Sequence, residues 1–336
     1  PSQDNDATST DASGNAIYIV DSVSGELLWH ASKAGANRNL DKMDYSIPAD
    51  VRVVDIDTDG FADRMYASDM GGQVWRFDIF NGQPPSDLVT GGVIAQLGAA
   101  LEEALTLEDT RRFYYAPDIA MATLNGHRFT HIGIGSGHRA HPNGTVNQDR
   151  FYALRDHEPF MARSQADYNV AIPITEADLV DVTDEIDASV PQAGAGWRFE
   201  LREGGWVGEK VLAETRTFEN KVLFTTFTPG VAATQNDCQP ALGTNRLYIM
   251  DIFNGSPVVN LDEGPEEEPL SADDRSAEFY GSIPSEVQFL FPSPGGEICL
   301  GEDCTPPPVA CIGVYCFQLD FQNNPIRTSW SQESMK

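Results

Sequence analysis

The chain has 336 residues, 41% of them hydrophobic, so it can bury a sizeable core and is not intrinsically disordered. Its 22 Lys and Arg stand against 51 Asp and Glu, a formal net charge of −29. Such a surface repels phosphate backbones and anionic lipid, which argues against nucleic-acid and membrane partners and favours divalent cations. No apolar run is long enough for a membrane helix, and Pro1 opens a polar tract rather than a signal peptide, which reads as a processed or excised piece.

Residues 1–15 are polar and low in complexity, a tail or linker ahead of one β domain over 16–336. From there on, short apolar runs are punctuated by turn signals (DTDG, MGG, FNG, LNG, PNG, PGG), the pattern of an all-β sandwich, barrel or propeller. A repeated unit favours the propeller. YIVDSVSGELLW carries Asp21, Gly25 and Trp29, and DIFNG occurs at Asp78–Gly82 and again at Asp251–Gly255, each time after a strand-like run. FYALRD, ending at Asp156, keeps the strand and the Asp without the glycine. Each unit predicts a strand ending in an Asp that caps a tight turn, a glycine for positive φ, and a return strand. The uneven spacing of the copies implies insertions or diverged turns. A single helix is expected, over Val93–Asp109, because Ile94, Leu97, Leu101 and Leu105 recur on roughly one face. The acids of 176–189 read as a solvated face, and 262–275 as an acidic surface loop.

The strongest chemical signal is DIDTDGFAD, Asp55 to Asp63. Calcium is a hard cation that takes six to eight oxygens, and carboxylates at alternate loop positions can converge on it. Asp55, Asp57 and Asp59 occupy positions 1, 3 and 5 of an EF-hand-like loop, Gly60 the sharp turn at 6, the Phe61 carbonyl position 7 and Asp63 position 9. Tyr66 stands where an EF-hand has its bidentate Glu, and the flanks alternate like strands, so a strand–loop–strand calcium site is expected.

Cys299, Cys304, Cys311 and Cys316 fall in a Cys-rich segment, 299–316, with Cys238 apart. In an extracytoplasmic chain the four read as two disulfides of open connectivity, with zinc or free thiols as the alternatives; Cys238 pairs elsewhere or stays free. His127, His131, His138 and His141 cluster, but as local hydrogen-bond partners rather than a ligand set. GIGSG (Gly133–Gly137) sits in a turn context with no following helix, so no nucleophile elbow is read there.

VRVVDIDTDGFADRMYASDMGGQVWRFDI, Val51 to Ile79, resembles the heart of the PilY-type proteins of type IV pilus biogenesis. Further matching stretches follow in order: Phe113–Met121, His131–Asp156, Gly196–Leu201, Gly208–Leu212 and Lys221–Gly230. The resemblance implies a modified β-propeller with quinoprotein-like blades, in a seven-bladed family ring of which part would lie upstream of Pro1. It also implies a calcium loop holding Ca2+ through Asp55, Asp57, Asp59, Phe61 and Asp63, and export through the periplasm to the pilus tip or outer surface. The implied role is non-enzymatic: pilus assembly with minor pilins, and adhesion or motility through a host or surface receptor. Two other classes stay open. One is a calcium-stabilised carbohydrate-binding propeller. The other is a quinoprotein dehydrogenase, whose blade signature Asp21, Gly25 and Trp29 share, although the adjacent cysteine pair of those enzymes is missing.

Overall fold

The computed structural model describes residues 10–98, 106–202, 204–230, 243–261, 270–279, 283–291 and 308–318. It divides into two compact units, Pro1–Glu286 and Val287–Lys336.

The first unit holds four sheets that follow one another along the chain. In the first sheet β1 (Ala16–Val20) pairs antiparallel with β2 (Leu27–Ser32), and β3 (Arg38–Asn39) joins in parallel. The second is an antiparallel meander of β4 (Arg52–Val54), β5 (Arg64–Ser68), β6 (Gln73–Ile79) and β7 (Val89–Gln96). The third takes β8 (Asp118–Leu124), β9 (His127–Gly135) and β10 (Arg150–Asp156), then β11 (Val180–Asp181) and β12 (Gly196–Glu200), in the order β8-β9-β10-β12-β11. In the fourth, β13 (Lys210–Val211) and β14 (Arg216–Phe218) both pair with β15 (Lys221–Thr228), followed by β16 (Thr244–Asp251) and β17 (Ser276–Phe279). These open, stacked sheets make a β-propeller-like fold, and no sheet among the described residues closes on itself.

Successive sheets pack face to face, and the two-residue period of a strand explains the burial. On β6, Trp75 and Phe77 meet Trp29 and Ala31 of the first sheet. Val74, the residue before Trp75, turns the other way and, with Tyr66 of β5, meets Ile132, Tyr152 and Leu154 of the third sheet. On β10, Phe151 and Ala153 turn the other way, to Trp197, Val222 and Phe224. A strand buried on both faces reads as a continuous apolar run. That is why the described parts of Val93–Asp109, expected as a helix, are not α-helical. Val93 and Ile94 lie in β7 and face opposite neighbours, so their apolar spacing reflects two buried faces rather than one helical stripe. Leu107–Asp109 is a single 3-10 turn, and 99–105 lie outside the described residues. The α-helix among the described residues is instead α1, Gln165–Val170, started by a Ser164–Asp167 capping box. Its Tyr168 packs on β7 at Gly92, where an added Cβ would lie 3.0 Å from the ring.

The capping turn holds at two of its four expected places. Asp21 accepts from the amides of Val23 (3.0 Å) and Ser24 (2.7 Å), and Asp251 from those of Phe253 (2.6 Å) and Asn254 (3.2 Å); Gly25 and Gly255 take φ of +73° and +70°. Asp78 does something else, and Asp156 does so besides accepting from the Glu158 amide at 3.2 Å. They lie on the facing sides of the second and third sheets and enclose two arginines. Arg76 donates to Asp156 (2.7 and 3.0 Å) and to Asp78 (3.0 and 3.2 Å), and Arg64 Nε to Asp78 at 2.6 Å. Tyr66 and Tyr168 hydroxyls complete the network at 3.1 Å to Asp156 and 2.7 Å to Asp78. Burial alone would push the Asp78 carboxyl up; Arg76 and Arg64 outweigh it and hold the group below the usual carboxylate range.

The second unit contains β18 (Gln288–Leu290), β19 (Val309–Ile312) and β20 (Tyr315–Gln318), an antiparallel sheet in chain order. Cys311 and Cys316 are register partners across the β19-β20 hairpin and form a disulfide, with Cα atoms 4.1 Å apart. Cys299, Cys304 and Cys238 lie outside the described residues.

Two outcomes are expected. Removing one partner of a buried ion pair strands the other, so Asp156→Ala should lower the urea-unfolding free energy by roughly 3–5 kcal/mol, with no comparable loss for the exposed Asp57→Ala. The second concerns His131, fully buried on β9 with neither ring nitrogen hydrogen-bonded among the described residues; burial, helped by Arg155, pushes its pKa down to about 3. The unfolded chain protonates this ring near pH 6.5 and the folded one does not, so stability present at pH 7 is lost as pH falls from about 6.5 towards 3. His131→Leu should flatten the wild-type slope between pH 7 and 5 in chemical denaturation.

Candidate metal centre

The acidic loop bridges β4 and β5 at the surface. Val54 and Arg64 are register partners, so the strand pair fixes both ends of the loop, and the Asp63 amide closes it by donating to the Val54 carbonyl at 2.9 Å. Inside it, Asp55 accepts from the amides of Thr58 (2.7 Å) and Gly60 (2.9 Å), and Asp63 from those of Ile56 (2.6 Å) and Asp57 (3.3 Å). Thr58 and Gly60 adopt φ of +64° and +91°, the turn that brings the chain back on itself.

Of the five ligands expected from sequence, the structure gathers three. Asp55, Asp57 and Asp63 each offer a carboxylate oxygen within 4.8 Å of the others, and this is the only such His, Cys, Asp or Glu group among the described residues. Asp59 lies outside the group and accepts instead from the Phe61 amide at 2.8 Å; the Phe61 ring is 63% exposed. The donor set is all oxygen, each carboxylate keeps free lone pairs, and the loop is open to water. Those properties fit calcium, which takes flexible oxygen shells completed by solvent. Three carboxylates at this separation also repel one another unless a cation lies between them.

The other motifs resolve into structure. His131 is buried, His127 is exposed, and His138 and His141 meet edge to face with ring centroids 4.6 Å apart. In GIGSG the Ser136 hydroxyl is buried, donates to Asp149 Oδ1 at 2.7 Å and accepts from the Arg150 amide at 3.0 Å. Its glycines serve close packing: a Cβ at Gly135 would lie 2.3 Å from Val211 Cγ2, and one at Gly137 2.3 Å from the Val211 carbonyl oxygen. The acids of 176–189 are not merely solvated: Glu176 pairs with Arg111 and Arg150 (both 3.2 Å), Asp181 with Arg198 (2.8 Å) and Asp184 with Arg202 (2.6 Å). Of the acidic loop 262–275, residues 262–269 lie outside the described residues.

One element next to the acidic loop was missed in the sequence. Arg64 follows Asp63 directly, and its guanidinium donates to the carbonyls of Pro159 (3.2 Å) and Met161 (3.0 Å), while Arg76 also reaches Met161. The acidic loop and the segment around Phe160 are thereby tied to one buried cluster. Only the position of Arg64 immediately after the loop hinted at it.

No family model matches the chain. It is 23% identical over 256 residues, 71% of this chain and 17% of the relative, to a type IV pilus biogenesis factor PilY1 homolog of Xylella fastidiosa. The fold matches the crystal structure of the Pseudomonas aeruginosa PilY1 C-terminal domain with a TM-score of 0.58 at 16% identity, covering 90% of this chain and 65% of that one. The chain thus spans a small part of the curated relative and less than two thirds of the solved domain. In sequence the chain is similar to a PilY1 homolog and in fold to the PilY1 C-terminal domain, in agreement with the resemblance to PilY-type proteins read from the sequence.

Proposed function

We propose that this chain is a calcium-binding, non-enzymatic part of the type IV pilus machinery, working at the cell surface or pilus tip. The observation that carries the metal half of the reading is the convergence of Asp55, Asp57 and Asp63 in a loop pinned at both ends by paired strands. The pilus half is supported by the relative named as a type IV pilus biogenesis factor and by the shared fold. Minor pilins are the partners that the resemblance implies, with a host or surface receptor in adhesion.

In this reading Asp55, Asp57 and Asp63 hold Ca2+ directly. The Phe61 carbonyl and Asp59 join them once Asp59 releases the Phe61 amide, and water fills the remaining positions. Lacking the bidentate Glu, the site has an affinity between about 10⁻⁶ and 10⁻³ M, suited to an exported protein in external calcium. Occupancy orders the loop and, through Arg64, the segment behind it, which gives calcium a route to the surface that partners touch.

Calorimetric titration should find one Ca2+ per chain, and a hundredfold excess over Kd should stabilise the fold by about 2.7 kcal/mol. Asp57→Ala, whose side chain is exposed and holds only the Asp59 amide, should abolish the binding heat while leaving the far-UV circular dichroism unchanged. Wild-type protein without a binding heat would remove calcium from the reading. Asp59→Ala binding as tightly as wild type would remove Asp59 from the ligand set. Pili that extend, retract and attach normally with the Asp57→Ala protein would leave the ion a purely structural role.

A further inference from the structure

Beside the acidic loop, a groove of about 290 Å3 opens between the second and third sheets, at the lower end of ligand-sized sites, which run roughly 300–1,000 Å3. Val54 and Ile56 form one wall, Ile119 and Met121 the other, and Phe160 and Arg128 stand at the lip. We propose that this groove docks a peptide segment of a partner protein that carries a bulky apolar side chain next to a carboxylate.

Three features carry the assignment. The first is exposed apolar surface held in place. Phe160 is 56% and Met121 47% exposed, and a large ring in water is normally free to move or fold down. Here the backbone on either side of Phe160 is fixed, because Arg64 donates to the carbonyls of Pro159 and Met161 from the buried cluster. A preorganised apolar wall loses little entropy when a side chain enters.

The second is the cation. In a chain of net charge −29, the arginines of the described residues mostly pair with carboxylates or backbone carbonyls. Arg128 does neither: among the described residues its guanidinium has only the Phe160 ring, 5.8 Å from the centroid. An exposed guanidinium laid over an aromatic ring presents its edge for carboxylate recognition.

The third is the anion on the same wall. Asp55 also lines the groove, but both its oxygens accept from amides of its own loop, at Thr58 and Gly60. Its charge is directed into the loop, which leaves Arg128 as the charge offered to an occupant. An apolar anchor in the groove with a carboxylate reaching Arg128 satisfies both parts of the site. A peptide with a lysine in that place would put two cations together.

The test uses the chain labelled with [13C]methyl-methionine, in EDTA so that the calcium reading plays no part. Met121 reports on the groove, its resonance identified by its loss in Met121→Leu. Titration with acetyl-Leu-Phe-Glu-amide should shift the Met121 methyl saturably, at concentrations of about 0.1–5 mM as expected for a single anchor residue. The lysine analogue, acetyl-Leu-Phe-Lys-amide, should bind roughly two- to fivefold more weakly. In Arg128→Ala, whose exposed side chain leaves the circular dichroism unchanged, the two peptides should bind alike. A Met121 signal that neither peptide moves overturns the docking site. Equal binding of the two peptides to the wild-type chain overturns the carboxylate half of the assignment.

Discussion

The first unit depends on one constraint: its inner sheets are covered on both faces. Stacking sheet on sheet gives a short chain three separate apolar interfaces, and the central strands β5, β6 and β10 then have almost no solvent side on which to leave polar groups. Any charge on those strands must be matched from the facing sheet. Arg64 and Arg76 on one side and Asp156 on the other meet that demand, with Asp78, Tyr66 and Tyr168 closing the remaining valences. An incomplete network in that position would cost several kcal/mol, so the cluster specifies which face of which sheet meets its neighbour.

The same constraint explains the glycines. Two sheets can approach closely only where one supplies no side chain, and on β9 the residues that turn towards the fourth sheet include Gly133 and Gly135. Val211 enters the space that a Cβ would fill. A segment that resembles a catalytic or phosphate-binding turn when read as letters is therefore a contact surface. His131, on the same face, is a polar residue that packing leaves without a hydrogen-bond partner among the described residues.

Charge is distributed by the same logic. With few cations available, the fold pairs arginines with carboxylates along β10, β12 and the segment from Glu176 to Asp184, from the buried Asp156 to the exposed Asp184. The surplus acid stays at the surface, and in the β4–β5 loop it is concentrated by local geometry into three converging carboxylates. Because Arg64 begins the strand leaving that loop, the surface acids and the interior network share one piece of backbone.

The sequence by itself determined the β class, the turns at Asp21 and Asp251, and the acidic loop with its sharp bend at Gly60. Each rests on local chemistry: alternation, Asx capping and positive φ are decided within a few residues. The Cys311–Cys316 pair was among the connectivities left open, and hairpin register chose it. Tertiary structure decided the rest. Val93 and Ile94 look helical because apolar residues crowd together, and only the presence of a sheet on either side makes them a strand. Asp78 and Asp251 sit in identical pentapeptides, yet one caps its own turn and the other faces two arginines. Nothing within the pentapeptide distinguishes them; what differs is Arg76, two residues before Asp78 where Ile249 precedes Asp251, and the strands that pack beside and opposite.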